Sequence, residues 1–469
     1  MDRRRFLSAM AIGVVGPFAG VACAGAQGGA RPAPSGYGPP RPVPDLRDGE
    51  VRLHLPEGFA YRSFSAAGEK FSDGTTVPGR HDGMGAFPGP DGSVILIRNH
   101  EVNGPVGAFG DKARAYDPMA GGGTSTLRVT PHGEVIRHVP SLNGTMMNCS
   151  GGPMPWGAWV SCEETVNGPD VAGDFSGADN TRLTQRHGYL FEVPVEGRAT
   201  ARPIRAAGRF PHESAAFDPS SGALYLTEDN FAHPSGFYRY LPPRNPARSG
   251  KLLDGGRLQM LAVKGARRKD LSKGQEPGAA YATAWVDIDD PDPRFRGRPS
   301  YEEVVQAVGR QGRAKGAALF ARLEGAVFHQ GIVYFVSTQG GDTDPADPPP
   351  DGFGKGRGQV WAYETWSGRL RLVYESPRAA ALDLPDNVTV SRRGTLVLCE
   401  DGEGANFLRG LTRSGEIFDF CRLQPIPGDP GAEFAGSTFA PGGQTLYVNV
   451  QGERGRSFAI WGPWERGLF

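Results

Sequence analysis

Six times along the chain, a polar cluster leads into a short apolar strand. A Gly/Pro/Asp turn follows, then a second strand that ends in acids or other ligand-type side chains. The first unit runs from His81-Asp82-Gly83-Met84 to Asn99-His100-Glu101, and the second from Asn148 to Ser161-Cys162-Glu163-Glu164. The third runs from His212-Glu213 to Glu228-Asp229, and the fourth from Arg322-Leu323-Glu324-Gly325 to Ser337-Thr338. The fifth runs from Leu384-Pro385-Asp386-Asn387 to Cys399-Glu400-Asp401, and the sixth from Glu433-Phe434-Ala435-Gly436 to Gln451. The spacing is regular: Glu213 and Glu228 are fifteen residues apart, Asp386 and Glu400 fourteen. Each unit reads as a β-hairpin.

Strand-like pieces between the units, such as HGYLFEVPV, GFYRYLP, GQVWAYE and GEIFDFC, can complete four-stranded sheets. Six such sheets set radially make an all-β, six-bladed propeller. That fold brings the inner strand ends to one channel, whereas a β-sandwich or a pair of domains would scatter them. In 469 residues, 69 glycines and 41 prolines favour short strands and tight turns over long helices. The propeller is expected over residues 46–469. Lys+Arg and Asp+Glu both number 51, so no basic field calls for nucleic acid.

Residues 1–26 read as a twin-arginine signal peptide: Arg3-Arg4-Arg5-Phe6-Leu7, an apolar run, and a cleavage site after Ala24-Gly25-Ala26. Residues 27–45 read as a Pro/Gly-rich linker. The expected partners are thus the twin-arginine export machinery and no stable membrane insertion after cleavage, with a periplasmic or secreted destination. A small helical insertion is expected within Asp287 to Gly309, where Ser300 and Glu303 form a capping box before Val304, Val305 and Val308. The acidic stretch Gly341 to Lys355 reads as a loop, solvated or binding calcium through its acids.

The converging strand ends carry many carboxylates and few histidines. Such a cluster cannot be both buried and ionised without cations. Hard oxygen ligands suit calcium, while a thiolate among carboxylates suits a transition metal such as iron. Cys162 is the thiol expected there, which keeps it out of a disulfide. Cys149 and Cys399 read as structural, and the pairing of Cys149, Cys399 and Cys421 stays open. If the strand is extended there, Arg322 shares a face with Glu324; beside metals it fits an anionic phosphate group. Asn99 joins it as a substrate contact. No GxSxG elbow or Walker loop is present.

At these residues the chain resembles the PhoX family of secreted alkaline phosphatases. The stretches that carry the resemblance include HDGMGAF, ILIRNHE, NCSGGPMPWGAWVSCEE, GRFPHESAAFD, FARLEGAVF, LPDNVTVSRRGTLVLCEDG and EFAGSTFAPGGQTLYVNVQ. The resemblance implies a six-bladed propeller holding ferric iron and calcium, and hydrolysis of phosphate monoesters at alkaline pH. It implies that Cys162, Glu163, Glu213 and Glu324 lie near iron, that Glu164, Asp229, Glu400 and Asp401 serve calcium or its surroundings, and that Arg322 binds phosphate. It also implies that a metal-bridging oxygen or bound water attacks the phosphate. Two other readings fit the acidic channel: a calcium-dependent lactonase or phosphotriesterase, and a calcium-stabilised propeller that binds partners without catalysis.

Overall fold

The computed structural model describes residues 35–343, 345–346 and 352–469. Strands dominate these residues, and the helices among them are short. The chain opens with β1 (Arg41–Pro44), β2 (Val51–Leu55) and β3 (Ala60–Phe64). A four-stranded meander follows: β4 (His81–Pro88), β5 (Val94–His100), β6 (Gly122–Val129) and β7 (Val135–Thr145). The next sheet has three strands, β8 (Asn148–Met154), β9 (Ala158–Glu163) and β10 (Leu190–Pro194).

Then come β11 (His212–Phe217), β12 (Leu224–Glu228), β13 (Phe237–Leu241), β14 (Arg257–Val263) and β15 (Ala280–Asp287). Two helices, Tyr301–Val305 and Ala307–Lys315, interrupt the pattern. Strands resume as β16 (Leu323–His329), β17 (Ile332–Ser337), β18 (Gln359–Glu364) and β19 (Arg369–Glu375). The next meander is β20 (Pro385–Val390), β21 (Leu396–Glu400), β22 (Phe407–Leu411) and β23 (Ile417–Leu423). The last strands are β24 (Glu433–Phe439), β25 (Thr445–Gln451) and β26 (Arg456–Trp461).

The arrangement is propeller-like. The first strands of the successive meanders, β4, β8, β11, β16, β20 and β24, each contact the next, and β24 returns to β4. The final sheet is closed by both chain ends, because β3 pairs with β26 from Phe64↔Ser457 to Ala60↔Trp461. β15 pairs with both β14 and β19, which fuses two meanders into one nine-stranded sheet. β2 and β1 extend the sheet of β20 to β23. The expected run of equal four-stranded sheets is therefore uneven in fact.

Sheets packed on both faces explain why β12, β17 and β21 read as near-continuous apolar runs rather than alternating ones. Apolar clusters fill the seams: Met84, Leu96 and Leu127 meet Tyr447 and Ala459 between the first and last sheets. The innermost strands approach closely; a Cβ at Gly152 of β8 would fall on the Ala215 carbonyl of β11.

Order begins earlier than the sequence suggests. Tyr37, within the expected linker, is buried, and its hydroxyl donates to the Trp464 carbonyl at 2.8 Å and accepts from Phe469 N at 3.1 Å. Residues 1–26, expected as a signal peptide, and residues 27–34 of the expected linker lie outside the described residues, as do residues 344 and 347–351 of the acidic stretch. Among the described residues, no helix is long and apolar enough to cross a membrane.

Candidate metal centre

One irregularity recurs in all six innermost strand pairs. Near the start of each first strand the register slips by one residue, between His81/Met84, Asn148/Gly151, His212/Ala215, Leu323/Ala326, Pro385/Val388 and Ala435/Thr438. Each slip is a β-bulge, in which two residues oppose one and a side chain is re-aimed. The first bulged residue is Asp82, Cys149, Glu213, Glu324 and Asp386 in the first five pairs. In the sixth it is Gly436, whose backbone has φ 57° and where a Cβ would fall on the Asp82 carbonyl. Five strand pairs therefore present a potential ligand at one register position, and the sixth presents bare backbone.

A second layer comes from the residue just after the second strand. Four first strands are preceded by a non-glycine residue in the left-handed region: Arg80 (φ 55°), Met147 (φ 47°), Arg322 (φ 45°) and Leu384 (φ 50°). Strain of this kind clusters at functional sites. Each of these carbonyls accepts a backbone hydrogen bond from across the hairpin: Glu101 N to Arg80 at 2.8 Å, Glu164 N to Met147 at 2.8 Å, Thr338 N to Arg322 at 2.9 Å and Asp401 N to Leu384 at 3.1 Å. The turn thus fixes Glu101, Glu164 and Asp401 at equivalent places, with Asp229 at the same place in the third sheet.

The two layers meet. Donor atoms of Glu101, Cys149 and Glu164 lie within 4.8 Å of one another, as do those of Glu213, Glu324 and Asp386. Either trio could hold an ion. Cys149 Sγ is 3.4 Å from Asp82 Oδ2, which also accepts from Gln451 Nε2. Both carboxylate oxygens of Glu213 are buried without a hydrogen-bond partner. Burial pushes the Glu213 pKa far up, and Glu324, Asp386, Glu164 and Asp82 push it further. Asp82 is raised by burial, then by Asp386, Glu101 and Glu433; Glu324 by burial, then by Asp229. The Cys149 thiol is raised by burial and by Asp82, Glu213, Glu164 and Glu101. Acids crowded this closely need cations or protons to be tolerable.

Arg322 is the positive group at the edge of the cluster. Its Nε and Nη2 donate to Asp229 Oδ1 and Oδ2 at 3.1 and 2.8 Å, and Nη2 reaches Glu324 Oε1 at 3.1 Å. Burial works against its charge, but Asp229 and Glu324 outweigh that and hold it protonated. Its guanidinium also lies over the Phe231 ring, 5.1 Å from the centroid.

Several residues expected here are spent elsewhere. Cys162 packs in an apolar cluster with Met154, Val160, Leu190 and Phe210, and is in neither donor trio. It stands opposite the bulge, the register position of Asn99, Thr227, Val336, Cys399 and Val448 in the other sheets. The thiol among the acids is Cys149, which reads from the sequence as structural. Glu163 turns into its own sheet, accepting from Met146 N (2.9 Å), Gly188 N (2.8 Å) and Tyr189 N (3.1 Å), with His187 Nδ1 at 2.6 Å. Glu400 does the same with Asp383 N (3.0 Å), Phe407 N (2.9 Å) and Arg409 Nε (2.8 Å). Asn99 clips two sheets: its Nδ2 donates to the Cys149 and Ser150 carbonyls, and its Oδ1 accepts from Trp159 Nε1 and Ser161 Oγ. The four described cysteines are free thiols.

The helical insertion borders the centre. Ser300 Oγ accepts from Glu303 N, as the capping signal predicts, and Tyr301, Val304 and Val305 pack on Val166 and Val171, just beyond Glu164. Glu101, Asp82 and Asp386 complete the centre; in the sequence they stand among the converging acids without being marked out as ligands.

The description of the alkaline phosphatase PhoX family matches residues 35–139 and 115–453. Among solved structures, the chain is similar to Pseudomonas fluorescens PhoX in complex with vanadate, described as a transition state analogue. The TM-score is 0.63 at 17% identity, covering 92% of this chain and 98% of that one. Looser likenesses, too low in TM-score to carry an argument, are a gluconolactonase from Xanthomonas campestris (0.37, 13% identity, covering 91% and 98%) and the calcium-binding regucalcin from Agrobacterium tumefaciens (0.37, 11% identity, covering 81% and 89%). No curated protein sequence matches. The family match spans most of the described chain, so this protein belongs to the PhoX family and is an alkaline phosphatase, a hydrolase of phosphate monoesters.

Proposed function

We propose that the phosphatase works through iron and calcium held by the bulge residues and the acids that follow the second strands. The observation that carries this is Glu213: a carboxylate with two buried, unpartnered oxygens, ringed by other acids, is built for cations. The donor types also fit. Glu101, Cys149 and Glu164 offer one sulfur and carboxylate oxygens, which suits iron. Glu213, Glu324 and Asp386 offer oxygen alone, which suits calcium or ferric iron. When bound, such metals supply Lewis acidity and an activated oxygen nucleophile near neutral pH.

The chain's own contribution is position and charge. Arg322 offers a guanidinium to the phosphoryl oxygens, and Asp229 fixes the plane of that guanidinium with two hydrogen bonds. Glu324 sets its tilt. The strained backbone at Arg322 holds the side chain beside the acids rather than in solvent. The substrates on this reading are small phosphate esters.

The architecture is read here as six blades, with β15 bridging the third and fourth. Residues 1–26 direct export through the twin-arginine machinery, and the working compartment is the periplasm or beyond. The test is elemental analysis of the purified protein together with an aryl phosphate assay at alkaline pH. Arg322→Ala should keep iron and calcium and lose turnover by about a hundredfold or more, as expected for removal of transition-state charge stabilisation. Full turnover in that variant, or protein active without either metal, would overturn the reading.

A further inference from the structure

Arg98 on β5 is fully buried, yet its hydrogen bonds among the described residues all go to neutral oxygens. Nη1 donates to the Ser65 carbonyl at 3.2 Å and to Ser457 Oγ at 2.8 Å, and Nη2 donates to Ser125 Oγ at 3.3 Å. Nε is buried without a partner. A guanidinium keeps its proton in proteins. Burial pulls its pKa down to about 9, still above neutrality, and the acid that offsets this is the part-exposed Glu69. A full positive charge therefore sits in the seam between the last and first sheets.

Three buried histidines, His81, His100 and His138, lie close enough to feel its charge. His138 Nδ1 meets Ser65 Oγ at 3.3 Å, His100 Nε2 meets Ser125 Oγ at 2.9 Å, and the His81 ring lies 5.2 Å from that of His100. Both ring nitrogens of His81 and Nε2 of His138 are buried without a hydrogen-bond partner. Arg98 Nε makes a fourth such nitrogen. Neutral imidazole still carries one N–H, so each ring can donate without gaining charge. A water could satisfy these donors but not the charge, and a buried charge offset only by a part-exposed acid is costly for a fold to hold.

We propose that Arg98, bonded to Ser65, Ser125 and Ser457 with the His81 and His138 rings nearby, binds a small monovalent anion of the halide class, chloride in ordinary buffers. One guanidinium balances one negative charge, which disfavours phosphate and sulfate. The site differs in sign from the acidic centre and is separate from the phosphatase chemistry. Its position gives it a structural role. Ser65 follows β3 and Ser457 lies on β26, so the anion would bind the two chain ends to the first sheet.

The test is bromide-soaked crystals of the whole protein, read by anomalous scattering, with melting temperatures measured in chloride and in gluconate. The expected result is a bromide peak in contact with Arg98 Nε and a buried histidine nitrogen. The melting temperature should rise by about 1–2 °C for each tenfold increase in chloride, and Ser457→Ala and Arg98→Met should weaken that dependence. If Arg98→Met does not fold, the wild-type crystal decides. Bromide on the surface only, or melting indifferent to the halide, would overturn the proposal.

Discussion

Cys149 Sγ lies 3.4 Å from Asp82 Oδ2, so the bulges of two neighbouring sheets touch through a thiol and a carboxylate. The other cysteine of the same hairpin, Cys162, faces an apolar seam. The two should behave differently. Cys149→Ala is expected to lower iron content and cut aryl phosphate turnover by at least about a hundredfold. Cys162→Ala should keep both metals and most activity, at a stability cost of about 1–2 kcal/mol. Elemental analysis and thermal melting of the pair distinguish them; equal iron loss in both would count against this assignment.

Asp229 holds Arg322 by two hydrogen bonds and sits at the register of the other second-layer acids. Asp229→Asn keeps the shape but loses one acceptor and the charge. Turnover should fall about tenfold to a hundredfold, with kcat affected more than metal content. Iron and calcium measured beside the kinetics separate a loosened arginine from a lost ion.

His187 is clamped between Glu163 (2.6 Å) and Asp117 (3.6 Å). Burial alone would lower its pKa, but Glu163 and Asp117 raise it to about 9. A folded-state pKa above the ordinary 6.5 means the proton stabilises the fold. That stability is fully present below about pH 6.5 and is lost as pH rises through about 9. Urea unfolding at pH 6, 8 and 10 should show the wild type losing on the order of 3 kcal/mol more than His187→Gln across that window. Parallel curves would mean that the clamp is not charged.

Chelation should destabilise the protein in a pH-dependent way. Without metals, burial and neighbouring acids hold Glu213, Asp82 and Glu324 protonated well above the usual carboxylate range. A raised carboxylate pKa adds stability at low pH that drains away as pH rises past the unfolded value. EDTA-treated protein should therefore melt lower at pH 8 than at pH 5, and calcium should reverse most of the loss. Turnover should vanish with the metals. A flat melting profile after chelation would argue against a shared acidic centre.

The hairpin units and the axial gathering of their ends were legible in the primary structure because turn residues and apolar runs are local signals. The assignment within each acidic pair was not. Glu163-Glu164 and Glu400-Asp401 look alike on paper, yet successive residues at a strand end face opposite ways. The first acid of each pair accepts backbone hydrogen bonds, Glu163 from Gly188 and Tyr189 and Glu400 from Asp383 and Phe407, whereas Glu164 lies with Glu101 and Cys149. Asp82, Cys149 and Asp386 depend on a bulge, and a bulge is a matter of pairing between strands rather than of composition. The glycines flanking them, in HDGMG and NCSGG, were the available hint: a re-aimed strand in a crowded hub leaves no space for neighbouring Cβ atoms.

The pairing of β3 with β26 has a temporal consequence. Residue 60 waits for residue 461 before the ring is shut, so a ribosome-bound chain can display most of its ligands with no enclosure around them. Metal capture should follow the emergence of β26 from the ribosome. A truncation that spares all the acids but deletes the closing strand should leave a protein unable to retain its ions.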